Sequence, residues 1–494
     1  MTSHNRLHAI KQEGKMTIRE LRPLIGGSFW SKGNDFDVFE PATGNVIARV
    51  PNVGPEGVDA AVAAAKEAFG TWSSTPPKDR AAALLAFTDE IMARVDEFAE
   101  LEARDVGKPL EKARAEMASA ADKYRFFAGA CRTMLVPAMG EYKPGITSMV
   151  RREPIGVVGA IAPWNYPMGM TAWRIGPALA AGNTVVLKPT QVTPLTALLL
   201  GEVAQKYFPP GVVNIVTGFG STTGTHLVRH PDVAMVSLTG GTDTGRSVMR
   251  DAAESIKVVH LELGGKAPVI VFDDANIDRL ATTLRSAAFG NSGQDCTAAC
   301  RVYVSKKREK DVVEALASMA KGIKVGNGHA ERGIDMGPVV SAKHHEFVSG
   351  FVDRAVKNAS GRVVAGGPIA GPGYFYAPTV VDGVEHGAEI IQKEIFGPVV
   401  AVTTFEDEAD AIAKANDLEV GLAASIWTSD IERAIVAAGR VKAGSVWIND
   451  HGPTAAEMPF GGYKQSGIGR DLSIYAIEAH TELKHIAITH RERI

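Results

Sequence analysis

The sequence predicts an α/β protein built as two doubly wound lobes with a small separate β segment. Three observations predict it. From residue 156, short apolar runs alternate with helical stretches, which implies a parallel sheet covered by helices on both faces. A second alternation begins near residue 268 and runs to 449. Two stretches outside both, Gly140–Glu153 and Ala479–Thr489, alternate with the period of a half-buried strand.

Taken in order, Phe36–Glu40 and Val46–Val50 read as short strands around the turn Pro41-Ala42-Thr43-Gly44. Val58–Phe69, Asp79–Val106 and Leu110–Phe127 read as helices, with apolar residues at helical spacing and charges on a solvated face. The first alternation places strands at Val157–Ala162, Thr184–Leu187, Val212–Val216, Ala234–Leu238 and Val258–Leu263. Helices fall at Met168–Ala181, Pro194–Tyr207 (with Thr193 as N-cap), 221–230 and 242–254. The second alternation has strands at Pro268–Phe272, Val302–Val304, 377–381, 398–404, 422–427 and 444–449. Its helices are 276–289, 308–321, 341–358, 407–416 and 430–439. The two alternating stretches left over need pairing, so a shared sheet and self-association to a dimer or tetramer are expected.

At 494 residues, with 45% hydrophobic and 22% charged residues, the chain can bury a large core without disulfides or metals. A net charge of −3 gives no reason to expect nucleic acid or an anionic membrane as partner. Cys131, Cys296 and Cys300 are too few for a disulfide scaffold and lack zinc-site spacing, so a reducing, cytoplasmic setting and no metal are expected. Met1–Glu20 has no apolar segment of a secretory signal and reads as a loose tail with some helix. The longest apolar runs are too short to span a bilayer.

The stretch Gly290–Cys296 is a small-residue loop ending in a cysteine, open to close approach by a substrate. A lone cysteine is otherwise a structural residue. Glu262 ends an apolar strand before Gly264-Gly265-Lys266. Burial there would raise its pKa and suit it to general-base work, and a strand-end ion pair with Lys266 is the plain alternative. Asn165 stands between Pro163 and Pro167, where a fixed amide could donate to an oxyanion or merely form a turn. Gly218–Gly224 and Thr239–Gly245 are glycine turns that follow strands and open helices. Neither has GxGxxG spacing, but two in one sheet point to a dinucleotide site. Lys188 ends a strand where a parallel sheet binds ligands.

These stretches together resemble the aldehyde dehydrogenase superfamily. The matching residues are Pro163–Pro167, Lys188-Pro189, Glu262–Lys266, Gly293–Cys296, Lys393–Pro398 and Pro459–Gly467, in family order across residues 24–490. The resemblance implies a Rossmann-like dinucleotide-binding domain over 21–133 and 154–263. It implies a catalytic domain over 264–472, an oligomerisation segment from 134–153 and 473–494, and a tail over 1–20. It implies that the Cys296 thiolate attacks an aldehyde, that the Asn165 amide and the Cys296 N–H hold the oxyanion, and that hydride passes to a nicotinamide. Glu262 then activates the water that hydrolyses the thioester, a step that members using coenzyme A lack. For NAD, the same resemblance assigns Lys188 to the adenosine ribose, Glu394 and Phe396 to the nicotinamide ribose, and Trp164, Gly220, Thr239, Gly240 and Gly241 to the diphosphate and its approach. Ala162 and Leu263 complete the set. Gly241 stands where serine is common. Gln191 stands where NAD-preferring members carry glutamate, and a neutral amide would not repel the 2′-phosphate of NADP.

Within the superfamily, Gly293–Arg301 and Ser466–Tyr475 are similar to the bacterial aminobutyraldehyde and betaine-aldehyde branch. That likeness implies an ω-aminoaldehyde such as 4-aminobutanal. Tyr166, Trp173 and Phe460 would wall an ammonium head, Met170 would line the site, and Asp295 would read the amine or stabilise its own turn. Asp105 is a second acidic candidate. Gly290 occupies a position where that branch often has an aromatic wall, which leaves room for a bulkier or aromatic aldehyde. A non-catalytic relic of the fold would typically have lost Cys296, Glu262 or Asn165.

Overall fold

A computed structural model describes residues 20–490 together with 11–12 and 15–16. Lys11–Gln12 and Lys15–Met16 pair as two short antiparallel strands, and the rest of the expected tail lies outside the described residues.

The first sheet has eight strands, in the order Gly467–Ile468, Val258–Leu263, Val233–Gly240, Val157–Ile161, Thr184–Lys188, Val213–Ile215, Leu24–Ile25, Ser28–Phe29. Its five central strands are parallel, and both flanks end in antiparallel pairs. Thr184–Lys188 is buried along its whole length, which is why it reads as a continuous apolar run. Val157–Ile161 comes first of the five in sequence but sits in the middle. The connections leave it in opposite directions, and this switch point opens a crevice at the carboxyl ends.

The second sheet has seven strands, in the order Arg362–Pro368, Tyr376–Asp382, Val399–Phe405, Arg301–Ser305, Pro268–Val271, Ala423–Trp427, Ser445–Ile448. All neighbours are parallel except the first pair. Side chains of Asn276, Ser341, Asp407 and Asp430 accept the capping N–H at four of its helices. The leftover stretches do share a sheet. Ile146–Pro154 pairs antiparallel with Thr481–Thr489 along its length, and with Gly140–Lys143 on its other side.

Three details depart from the sequence expectation. The helix expected over 79–106 is two, Pro77–Ala93 and Val95–Val106, because Arg94 leaves helical geometry (φ −109°, ψ 20°). Its guanidinium ties Glu97 on the second helix to Glu202 on a third. Thr193 does not cap the helix Leu195–Tyr207. The Leu195 N–H donates to buried Asp105 at 2.9 Å, while the Thr193 hydroxyl donates to the Trp164 carbonyl. Asp105 is therefore a capping residue rather than a substrate carboxylate. Residues 220–224 form a π-helical turn before the short helix Thr225–Arg229.

Candidate active site

A cavity of about 550 Å³ lies between the two lobes at the carboxyl ends of the first sheet. It is lined by Cys296, Glu262 and Asn165, by Trp164, Thr239, Gly240, Gly241, Glu394 and Phe396, and by Tyr166, Met170, Trp173, Asp295 and Phe460. These residues come from strand ends, a helix and loops far apart in sequence, and the fold gathers them. Ala162, Lys188, Gln191, Gly220 and Leu263 do not line it. Lys188 is buried at the end of the adjacent strand, and Gly220 is exposed on the π-helical turn. Gln191 is half-buried beyond Lys188, the Ala162 N–H donates to the Lys188 carbonyl, and the Leu263 side chain packs against Gly245.

The loop carrying Cys296 is held rather than free. Asn291, Ser292 and Gly293 all have positive φ (49°, 58° and 68°). A Cβ at Gly293 would overlap the Gly397 carbonyl, so only glycine permits this approach to the Glu394–Pro398 loop. The Ser292 hydroxyl lies 2.8 Å from the Gly337 carbonyl oxygen, and the Val340 N–H donates to Gln294 Oε1. Gly290 alone is open, with no atom within 4 Å of the position a Cβ would take.

Asn165 is buried, and its Nδ2 donates to the Gln294 carbonyl at 3.1 Å, which leaves its second N–H available. The Cys296 N–H donates to no acceptor among the described residues. Two uncommitted donors beside one thiol suit a developing oxyanion. Three residues the sequence reading passed over hold Asn165 in place. The Asn291 amide donates to the Asn165 carbonyl at 2.8 Å. Lys108 Nζ, paired with Glu102 and Glu116, donates to the same carbonyl at 3.1 Å. Glu116 also accepts the Gly169 N–H. Lys108 stands in the Gly107-Lys108-Pro109 stretch beside Asp105.

Glu262 is 1% exposed, and neither carboxylate oxygen accepts a hydrogen bond among the described residues. It makes no ion pair with Lys266, so the plain alternative fails. Burial, then the nearby Asp471 charge, push its pKa up to about 8, while Arg174 opposes the shift. The Cys296 thiol is raised well above its ordinary value, first by desolvation and then by the charges of Glu262 and Asp295.

A dinucleotide fits the crevice on three observations. The Lys188 ammonium donates only to the Pro189 carbonyl, and burial lowers its pKa to about 8. The buried Thr239 hydroxyl has no partner. Gly241 precedes the helix Thr242–Ala253, with open space where a side chain would stand. Glu394 is seated by the Gly265 N–H at 3.0 Å and lies so close to Gly264 that any side chain there would displace it. Burial raises its pKa to about 7. Trp164 and His344, with ring centroids 5.1 Å apart, pack with Phe396, whose carbonyl lies 2.7 Å from His344 Nε2.

On the substrate side, Trp173 and Phe460 meet edge to face at 5.0 Å beside Met170. Asp295 holds its own turn, accepting the Thr297 N–H and hydroxyl at 2.7 Å, and it also accepts the Tyr166 hydroxyl at 2.9 Å.

Residues 30–486 match the aldehyde dehydrogenase family, and the chain belongs to that family of oxidoreductases. A betaine aldehyde dehydrogenase of Bacillus subtilis (strain 168) is 40% identical over 458 residues, 91% of this chain and 93% of that protein. The NAD+ complex of an aldehyde dehydrogenase from Bacillus cereus superposes with a TM-score of 0.93 at 40% identity, covering 96% of this chain and 97% of that one. A betaine aldehyde dehydrogenase from Staphylococcus aureus, also in complex with NAD+, gives a TM-score of 0.93 at 36% identity, covering 96% and 95%. No group of His, Cys, Asp or Glu side chains suited to a metal ion occurs among the described residues, and no helix among them is long and apolar enough to cross a membrane.

Proposed function

We propose that the protein oxidises an aldehyde to its carboxylic acid, without coenzyme A, using NAD. The observation that carries this is the buried, hydrogen-bond-free carboxyl of Glu262 at the cavity that Cys296 and Asn165 line. Cys296 adds to the carbonyl carbon as a thiolate. The resulting oxyanion is held by the free Asn165 N–H and the Cys296 N–H. When bound, a nicotinamide dinucleotide supplies the two-electron acceptor that turns the thiohemiacetal into a thioester. Glu262 then takes a proton from water, which attacks the thioester and releases acid and thiol. Lys188, Thr239 and the helix behind Gly241 hold the adenosine and diphosphate side, and Glu394 and Phe396 the nicotinamide side. Gln191 offers no charge against a 2′-phosphate, so measurable rates with both NAD and NADP are expected. Strict refusal of NADP overturns that point.

The open space at Gly290 supports an aldehyde bulkier than a short ω-aminoaldehyde. The three donors already on Asp295 support it too, since they leave that carboxylate little freedom for an amine. Asp295 still lines the cavity and two relatives carry betaine aldehyde in their names, which supports 4-aminobutanal or a similar cation as the second reading. The test is kcat/KM for 4-aminobutanal, betaine aldehyde, butanal and benzaldehyde with each cofactor. Benzaldehyde leading by tenfold or more supports the first reading, and the amines leading supports the second. No reduction of NAD or NADP with any aldehyde points to a binding protein that has kept the fold. Cys296→Ala is expected to bind NAD but not to turn over.

A further inference from the structure

The helix Leu110–Ala130 lines the outer cavity with Glu116, Ser119 and Lys123, which fall on one face at helical spacing. Lys123 is 5% exposed, an unusual burial for an ammonium group without an ion-pair partner. Its Nζ donates to the Ser119 hydroxyl at 2.6 Å and pairs with no carboxylate within ion-pair distance among the described residues. The acidic groups that act on it from farther away, Asp122 and Glu457, are exposed side chains. Two of its three donors are therefore uncommitted and border the cavity.

The depth of Lys123 follows from the packing of this helix along Pro167–Ala181. Glu116 meets Gly169, and Tyr124 and Phe127 meet Gly176, so the two helices run side by side in the same direction. Lys123 thus lies about 10 Å beyond Glu116 along the axis, near the level of Gly176, past Trp173 and well past Tyr166. The wall between is apolar, made by Met170, Trp173 and Phe460.

We propose that Lys123 is a specificity residue that binds an anionic carboxylate at the far end of the aldehyde substrate, away from the reacting carbonyl. The preferred substrate is an aldehyde with a hydrophobic or aromatic middle and a carboxylate terminus. A terminal amine would meet like charge there. This rests on the oxidation proposed above and names the chemistry of the bulkier substrate.

The test compares 4-carboxybenzaldehyde with benzaldehyde and 4-(aminomethyl)benzaldehyde, reading NADH formation at fixed NAD. In the unmodified protein the carboxylate is expected to exceed benzaldehyde at least tenfold in kcat/KM, through KM, with the amine below both. Lys123→Met, which keeps the length and removes the charge, should collapse the carboxylate-to-benzaldehyde ratio toward one. Lys123→Arg should keep most of it, and Lys123→Glu should reverse the order of carboxylate and amine. Turnover of benzaldehyde with no carboxylate preference, or a preference unmoved by Lys123→Met, overturns this inference alone. No turnover of any aldehyde overturns the oxidation proposal and this one with it.

Discussion

Glu262 is the residue whose physics most constrains the chemistry. With a pKa near 8 it is largely protonated at neutral pH, and only its carboxylate can take a proton from water. Turnover limited by thioester hydrolysis should therefore rise with pH between about 7 and 9 and then level. A flat profile across that range, measured with saturating aldehyde and NAD, would show that another step limits the rate. Glu262→Gln is expected to give one stoichiometric burst of NADH and then at least a hundredfold slower turnover. The same residue acts on stability with a definite sign. Its folded pKa lies above the ordinary 4.5, so the folded state holds the extra proton. The stability it contributes is complete below about 4.5 and is lost as pH rises toward 8. Glu262→Gln removes that loss, on the order of a few kcal/mol. Its melting temperature should exceed that of the unmodified protein at pH 8.5, with the gap closing at pH 5.

At the scale of elements, Gly264 tests the seating of Glu394. Gly264→Ala forces the carboxylate aside while leaving the strand paired. Its expected effect is a KM for NAD raised tenfold or more with little change in circular dichroism, and an unchanged KM would detach Glu394 from cofactor binding. Most elements were legible because each carries a local pattern. Continuous apolar runs marked the central strands, and helical spacing of apolar residues marked the helices. Arg362–Pro368 was not assigned, and its Gly366, Gly367 and Pro368, poor strand formers, lie in a bulged edge strand. The break at Arg94 was invisible because it depends on a partner, Glu202, far away in sequence. The same division holds for the site. Cys296, Glu262 and Asn165 stand in recognisable local settings. Asn291 and Glu116 act only through contacts that folding creates, and no spacing in the sequence announces them. Glycine and serine suggested a pliant loop before Cys296, whereas its carbonyl and amide contacts fix it.

For the whole molecule, the three-stranded sheet is the part without cover. Leu483 is 63% exposed and Tyr142 74%, an apolar surface on strands that a single chain leaves to solvent. A dimer or tetramer is expected in solution by light scattering, and Leu483→Asp should shift it toward monomer. A monomeric unmodified protein would remove the reason for that surface. The short strand Gly467–Ile468 has a different consequence. It leaves the second lobe to pair with the strand carrying Glu262, placing Gly467 opposite Glu262, while the Leu263 N–H donates to the Ser466 carbonyl at 2.9 Å. The two lobes are stitched by backbone at Glu262 itself, so they cannot swing apart as rigid jaws without tearing a sheet. Cofactor and aldehyde must then enter a cleft of nearly constant width, and any gating falls to side chains and loops at its rim.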